Sequence, residues 1–292
     1  MKKIMVGSLG IFVVIAFSAY AMENVSQEQT IKNKNLMKAV CYNHVDKVRM
    51  LLDKGANVDL QGSYGCPVLL FAARYDRVDI VRLLLNKDAN VDLQNDDGDT
   101  ALIDAVREGH VDSVRILLAK GANVDLWNVD GRTALMYAAT CGNVGIVRLL
   151  LDKNADVNLQ DSYRRAALRT ALMFSALKGD ADIGRMLLDK DADVDLQDDD
   201  GNSALIFAAR YARVDDVKLL IARGAYINAS DNSGITVFMR AVIYGKKDIV
   251  ELLINKSGAD INLKDNTGAT VLTYALSNGH SEIVRMLKKE KS

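Results

Sequence analysis

Residues 98–121 read GDTALIDAVREGHVDSVRILLAKG, two short helical patterns with punctuation between them. Thr100 is placed to cap a helix start, because its hydroxyl can accept a bond from an otherwise unpaired backbone N–H. Ala101, Leu102, Ala105 and Val106 then fall on one stripe of a 3.6-residue helix. Gly109 ends that helix. Val111, Val114, Leu117 and Leu118 form the inward stripe of a second helix, which Gly121 closes. A helix pair this short cannot bury its own apolar stripes, so it must stack on others.

The chain supplies those others. One phrase recurs as GANVDLQ at 55–61, DANVDLQ at 88–94, GANVDLW at 121–127, NADVNLQ at 154–160, DADVDLQ at 191–197, GAYINAS at 224–230 and GADINLK at 258–264. The steps between phrase ends are 33, 33, 33, 37, 33 and 34 residues. A fixed period of this length marks a solenoid, in which each unit contacts only its neighbours. Asp130-Gly131 and Asp200-Gly201 are turn signals in one repeating slot.

Residues 128–160, NVDGRTALMYAATCGNVGIVRLLLDKNADVNLQ, resemble the ankyrin-repeat unit D-x-x-G-x-T-P-L-H-x-A-A followed by G-H-x-x-I-V-x-L-L-L-x-x-G-A-D-V-N. The resemblance covers about 31–292 as eight units, the first truncated and the last lacking its final hairpin. It implies an all-α ankyrin-repeat solenoid of stacked helix pairs with short hairpin tips. It also implies a concave surface that binds another protein. The chain departs from the family's Pro-Leu-His step. Ala101, Ala134, Ala171, Ala204, Val237 and Val271 hold the Pro slot, and Leu70, Ile103, Met136, Met173, Ile206, Met239 and Thr273 hold the His slot. In the family that His and the preceding Thr tie neighbouring loops. Apolar packing takes their place here, and looser loops are expected. The fifth unit inserts four residues in DSYRRAALR at 161–169. This is either a longer tip or a projecting basic finger carrying Arg164, Arg165 and Arg169.

Lys2 and Lys3 precede an uncharged run that ends in Ala19-Tyr20-Ala21, the small-x-small pattern of a signal-peptidase site. The expected organisation is a signal peptide over 1–21, a short linker over 22–30 and the repeat domain over 31–292, with the mature protein secreted or periplasmic. The alternative is an uncleaved anchor, because 19 uncharged residues from Ile4 to Met22 are just long enough to span a bilayer. The whole chain carries a net charge of −1, and removing Lys2 and Lys3 with the leader leaves −3. That balance lacks the basic footprint of a nucleic-acid binder. No nucleic acid, no stable membrane insertion after cleavage and a monomer are expected. Cys41, Cys66 and Cys141 allow at most one internal pair. Helix length and repeat spacing put Cys41 and Cys66 beyond the roughly 7 Å Cα reach of a disulfide, so reduced cysteines are expected.

Catalysis needs polar groups gathered in one pocket. His44, His110 and His280 occupy one repeat slot, where the second helix begins, and lie too far apart along a stack to share a metal. The phosphate loop G-x-x-x-x-G-K-[ST] and the nucleophile elbow G-x-S-x-G are absent from the sequence. Asp46, Asp79, Asp112, Asp182, Asp215, Asp248 and Glu282 precede Arg49, Arg82, Arg115, Arg148, Arg185, Lys218 and Arg285 in neighbouring slots, which predicts i,i+3 ion pairs down the back. Asp59, Asp92, Asp125 and Asp195 contribute one carboxylate per hairpin, short of the six to eight oxygens that calcium takes. No enzyme activity, cofactor or metal is expected.

Mapped onto the resembled concave surface, Tyr64, Arg74, Tyr75, Arg107, Arg132, Arg210, Tyr211 and Tyr244 are the candidate partner contacts, residue types enriched at interface hot spots. Trp127 joins them, since it stands where other units carry Gln61, Gln94, Gln160, Gln197, Ser230 or Lys264, a slot expected to be solvated. The leading function is an exported protein-interaction module. The alternative is a structural or protective periplasmic protein that stabilises an envelope enzyme.

Overall fold

Short amphipathic helices whose apolar stripes recur with a fixed period stack in two layers, and the computed structural model shows this over its described residues, 27–162, 169–256 and 258–289. The inner layer contains α1 (27–41), α3 (Val68–Arg74), α5 (Ala101–Arg107), α7 (Ala134–Cys141), α9 (Ala171–Lys178), α11 (Ala204–Arg210), α13 (Val237–Ile243) and α15 (Val271–Ser277). The outer layer contains α2 (Val45–Asp53), α4 (Val78–Leu85), α6 (Val111–Ala119), α8 (Val144–Leu151), α10 (Ala181–Leu188), α12 (Val214–Ala222), α14 (Lys247–Ile254) and α16 (Ser281–Lys289). Each inner helix packs against its outer mate and the neighbouring inner helices, so α5 touches α3, α6 and α7. The solenoid expected from the repeats is therefore present. Helix α1 is already helical at 27–30, residues that the sequence places in a linker. The leader expected over 1–21, and Arg164 and Arg165 of the insertion, lie outside the described residues.

The helix starts follow their caps. The side chains of Thr100, Thr133, Thr170, Ser203, Thr236 and Thr270 each accept a bond from the backbone N–H three residues on. Gly109 and Gly121 take left-handed backbone, φ 77° and 82°, at the helix ends where they are needed. The inner helices bury more than one stripe. In α5, Ile103 and Asp104 are buried together with Ala101, Leu102, Ala105 and Val106, because neighbours flank the helix on three sides. The core is one continuous apolar cluster running from Leu36 to Leu287.

The loops are not loose, which corrects the expectation drawn from the missing Pro-Leu-His step. Three polar ladders tie them. Asp59, Asp92, Asp125, Asn158, Asp195 and Asn228 each accept a bond from a backbone N–H of the next hairpin, 31 to 35 residues on, at 2.8–2.9 Å. Asn95, Asn128, Asp198, Asp231 and Asp265 each fold a tip by accepting the N–H groups two and four residues on, an Asx turn. The tip backbones bond one another, as in Val129 N–H to Asp97 O at 2.9 Å and Asn232 N–H to Asp200 O at 2.9 Å.

The glutamine slot is structural rather than merely solvated. Gln61, Gln94, Gln160 and Gln197 donate to the carbonyls of Gln94, Trp127, Gln197 and Ser230, each one unit ahead. The histidine slot is structural as well. His110 Nε2 lies 3.1 Å from Arg74 O and His280 Nε2 3.4 Å from Ile243 O, so each meets the last carbonyls of the preceding inner helix. Of the anticipated i,i+3 pairs on the outer helices, Asp215–Lys218 alone closes to an ion pair among the described residues, at 3.7 Å.

Candidate functional site

One slot of the inner helices holds Phe71, Asp104, Tyr137, Phe174, Phe207, Arg240 and Tyr274, one per unit, buried or half-buried. Arginines thread this row. Arg107 and Arg132 lie 5.6 and 5.7 Å from the Tyr137 ring, Arg132 lies 5.0 Å from Phe174 and Arg169 lies 5.3 Å from Phe207. Each guanidinium is desolvated against an aromatic face, a favourable cation–π placement.

The same arginines are anchored by acids. Arg74 Nε meets Asp104 Oδ2 at 2.6 Å, and Arg107 bridges Asp99, at 2.9 Å, and Asp104. Arg132 reaches Asp161 at 3.3 Å, Arg169 reaches Asp198 at 3.7 Å and Arg240 pairs with Asp231. These carboxylates are buried. Burial pushes the Asp104 carboxyl up, against the Arg74 and Arg107 guanidiniums that pull it down. Burial also works against the charge on Arg107, yet Asp104 and Asp99 hold its pKa well above the usual value. At the last tip, the Tyr274 hydroxyl and the Thr267 side chain bring Asp265 down to about 2, and Tyr274 rises to about 12.

The nine residues singled out from sequence therefore divide. Arg74, Arg107 and Arg132 are structural clasps between units, with side chains 22–32% exposed. Arg169, assigned to a projecting finger as one reading, folds back onto Asp198 and Phe207, and its backbone closes the base of the insertion on Asp161. The aromatic set stays at the surface. Tyr64 is 82% exposed at the first tip, on left-handed backbone at φ 57°. Tyr75 is exposed at the end of α3 with its ring 4.6 Å from Phe71. Tyr211 and Tyr244 are exposed on adjacent units, each 5.5 Å from the Arg210 guanidinium. Arg210 has no carboxylate within ion-pair distance among the described residues, so the two rings hold it.

Trp127 is 59% exposed beside Val129, which is also exposed. Its backbone serves the hairpin, pairing with Thr133 and accepting from Gln94, and the residue lines a cleft of about 200 Å³ with Gly131, Thr133, Leu159, Gln160 and Ser162. The buried acids Asp99 and Asp104 that order this face carry no periodic signal in the sequence. The signal for the tip acids was present: Asn or Asp recurs at 95, 128, 161, 198, 231 and 265, one residue after every phrase but the first. Among the described residues, no group of three His, Cys, Asp or Glu side chains is placed to hold a metal, no helix is long and apolar enough to cross a membrane, and the three cysteines are free.

A family model described as ankyrin repeats (3 copies) matches residues 13–95, 69–161, 164–231 and 223–292. No curated protein matches the chain.

Proposed function

The chain belongs to the ankyrin-repeat family, and from that premise we propose that it is an exported module that binds a partner protein through the aromatic side chains of its concave face. The observation that carries this reading is the division among the concave residues. Arg74, Arg107 and Arg132 are committed to acids inside the solenoid, whereas Tyr64, Tyr75, Trp127, Tyr211 and Tyr244 are exposed and Arg210 is held between rings. Exposed, pre-positioned Tyr and Trp side chains lose little conformational freedom on binding and supply large contact area. The export part rests on the leader over 1–21 alone.

Two measurements on two variants test the reading. Partners are captured on the chain lacking residues 1–21, and their affinity is compared for wild type, Trp127→Ala and the double variant Tyr211→Ala/Tyr244→Ala, beside urea unfolding of each. Affinity falls at least about tenfold with stability nearly unchanged if these rings are anchors. Lost stability with affinity retained assigns them to packing and refutes the reading. N-terminal sequencing of the secreted or periplasmic protein checks cleavage after Ala21.

A further inference from the structure

Three sulfur-bearing residues line one cavity between the first unit and the first tip. Met37 and Cys41 stand four residues apart on α1 and so share one helix face. Cys66 follows the Ser63–Gly65 turn, with its thiol donating weakly to Pro67 O at 3.8 Å. All three line one cavity of about 340 Å³, together with Arg74 and Asp97. Gly62 makes the room. A Cβ at that position would lie 2.8 Å from the Met37 Cε and 3.8 Å from its Sδ, so any larger residue would drive the thioether out. Both cysteines are free and half-buried, shielded from bulk solvent yet reachable by a small ion. Burial pushes the Cys66 thiol up, Arg74 opposes this, and Asp104 and Cys41 add to it.

We propose that Met37, Cys41 and Cys66 form a three-sulfur site for a soft monovalent cation, copper(I). Thiolate and thioether donors select copper(I), which is satisfied by few ligands. Structural zinc takes four, almost always Cys, His or carboxylate, and a thioether is a poor member of that set. Binding replaces two S–H bonds by two copper–sulfur bonds and releases two protons, while the Met37 thioether donates a lone pair with no proton change. The site then carries one net negative charge, with the Arg74 guanidinium, itself paired with Asp104, on the same cavity wall. Asp97 is the nearby hard donor, so zinc is the rival ion.

The reduced full chain is titrated without oxygen against copper(I) held by bicinchoninate, and the loaded protein is measured by X-ray absorption. One equivalent is taken up, with sulfur alone in the first shell. Cys41→Ser and Cys66→Ser each lose that equivalent, whereas Cys141→Ser keeps it. Met37→Leu conserves volume and keeps the fold, and it weakens binding by more than about tenfold, the lower end of what losing even an outer-sphere partner does to metal affinity. Circular dichroism of each serine variant confirms folding, and Met37→Leu decides the matter where a serine variant does not fold. Uptake unchanged in Met37→Leu and Cys66→Ser, oxygen in the first shell, displacement of copper by one equivalent of zinc, or failure to take copper from bicinchoninate each overturns the proposal.

Discussion

Asp104 and Asp216 are both buried carboxylates on helices of the stack, and their company is opposite. Asp104, 0% exposed on α5, spends both oxygens on guanidiniums, Oδ2 on Arg74 and Oδ1 on Arg107. Asp216, 4% exposed on α12, sits in the slot filled by Ile80, Ile146, Ile183, Ile249 and Ile283 in other units. Burial pushes it up to about 6, Arg213 pulls it down, and Asp180 pushes it further up. Asp216 forms no ion pair among the described residues. Ser113, in the same slot of α6, is satisfied by Asp76 at 2.8 Å. A repeat array tolerates a polar side chain in an apolar slot in two ways. Partners from the neighbouring unit can answer it, or the stack can absorb an uncompensated loss.

The largest expected effect tests the answered charge. Asp104→Ala takes from Arg74 its buried acid and leaves Arg107 with Asp99 alone, and stability falls by about 2–4 kcal/mol in urea denaturation. The loss stays below that of a fully buried ion because both guanidiniums, about a third exposed, can turn to water. Asp104→Phe restores the aromatic found at Phe71, Phe174 and Phe207 and recovers part of the loss. A loss under about 0.5 kcal/mol for Asp104→Ala would mean that the network carries no net stability and would erase the contrast with Asp216.

Asp216 should respond with the opposite sign. Asp216→Ile replaces an unpaired buried carboxylate with the residue of the other units and raises stability by about 1–3 kcal/mol at pH 7.5. The pH dependence follows from the same group. Its folded pKa of about 6 lies above an unfolded value near 3.9. The folded state therefore binds its proton first, and this contribution to stability improves as pH falls from about 7 towards 4. Asp265, held down at about 2, acts oppositely and only below about pH 4, so the windows separate. Subtracting the stability profile of Asp216→Asn from that of wild type between pH 7.5 and 4.5 isolates the effect, with a difference of roughly 1–2 kcal/mol across the range. A flat difference would show that Asp216 is hydrated in the folded protein.

The sequence made the fold legible because its period is set by stacking geometry, and each unit restates the same apolar slots and Thr caps. Asp104 and Asp216 were not legible for the reason that separates them. A repeat pattern shows that a slot faces inward, but not which side chain of the next unit enters it. Arg74 meets Asp104 across 30 residues, and Arg132 meets Asp161 across 29, both through the offset between units. That offset also turned the hairpin acids and the Gln slot, which look solvated in sequence, into ladders between backbones. The tyrosines were legible because they fall on the concave surface that the ankyrin resemblance implies, Tyr75, Tyr211 and Tyr244 in one recurring slot, and Trp127 because it stands where other units carry Gln, Ser or Lys. Three of the arginines beside them were read only as candidate partner contacts, because of the acids that hold them Asp99 and Asp104 leave no periodic trace and only Asp161 stands in a recurring Asn/Asp slot.

The smallest expected effect sharpens the comparison at the wall that Asp216 faces. Gly184 lies inside α10 where Val81, Val114, Val147, Val217 and Val250 stand in other units. A Cβ there would meet Leu219 Cδ2 at 3.4 Å, Ser175 Oγ at 3.6 Å and Asp216 Oδ1 at 3.7 Å, ordinary contact distances. Gly184→Ala therefore fits, and by restricting the unfolded chain and filling the gap it stabilises by about 0.5–1 kcal/mol. The Cβ and residue 216 share the space, so the two gains should not add. In the Asp216→Ile background the longer side chain fills the gap left by glycine, and Gly184→Ala then gains nothing or overpacks. A double-mutant cycle in urea measures this coupling. Additive gains would place Asp216 outside that space, whereas an unfavourable coupling of about 0.5 kcal/mol or more identifies Gly184 as the accommodation that lets an unanswered carboxylate persist in an isoleucine slot.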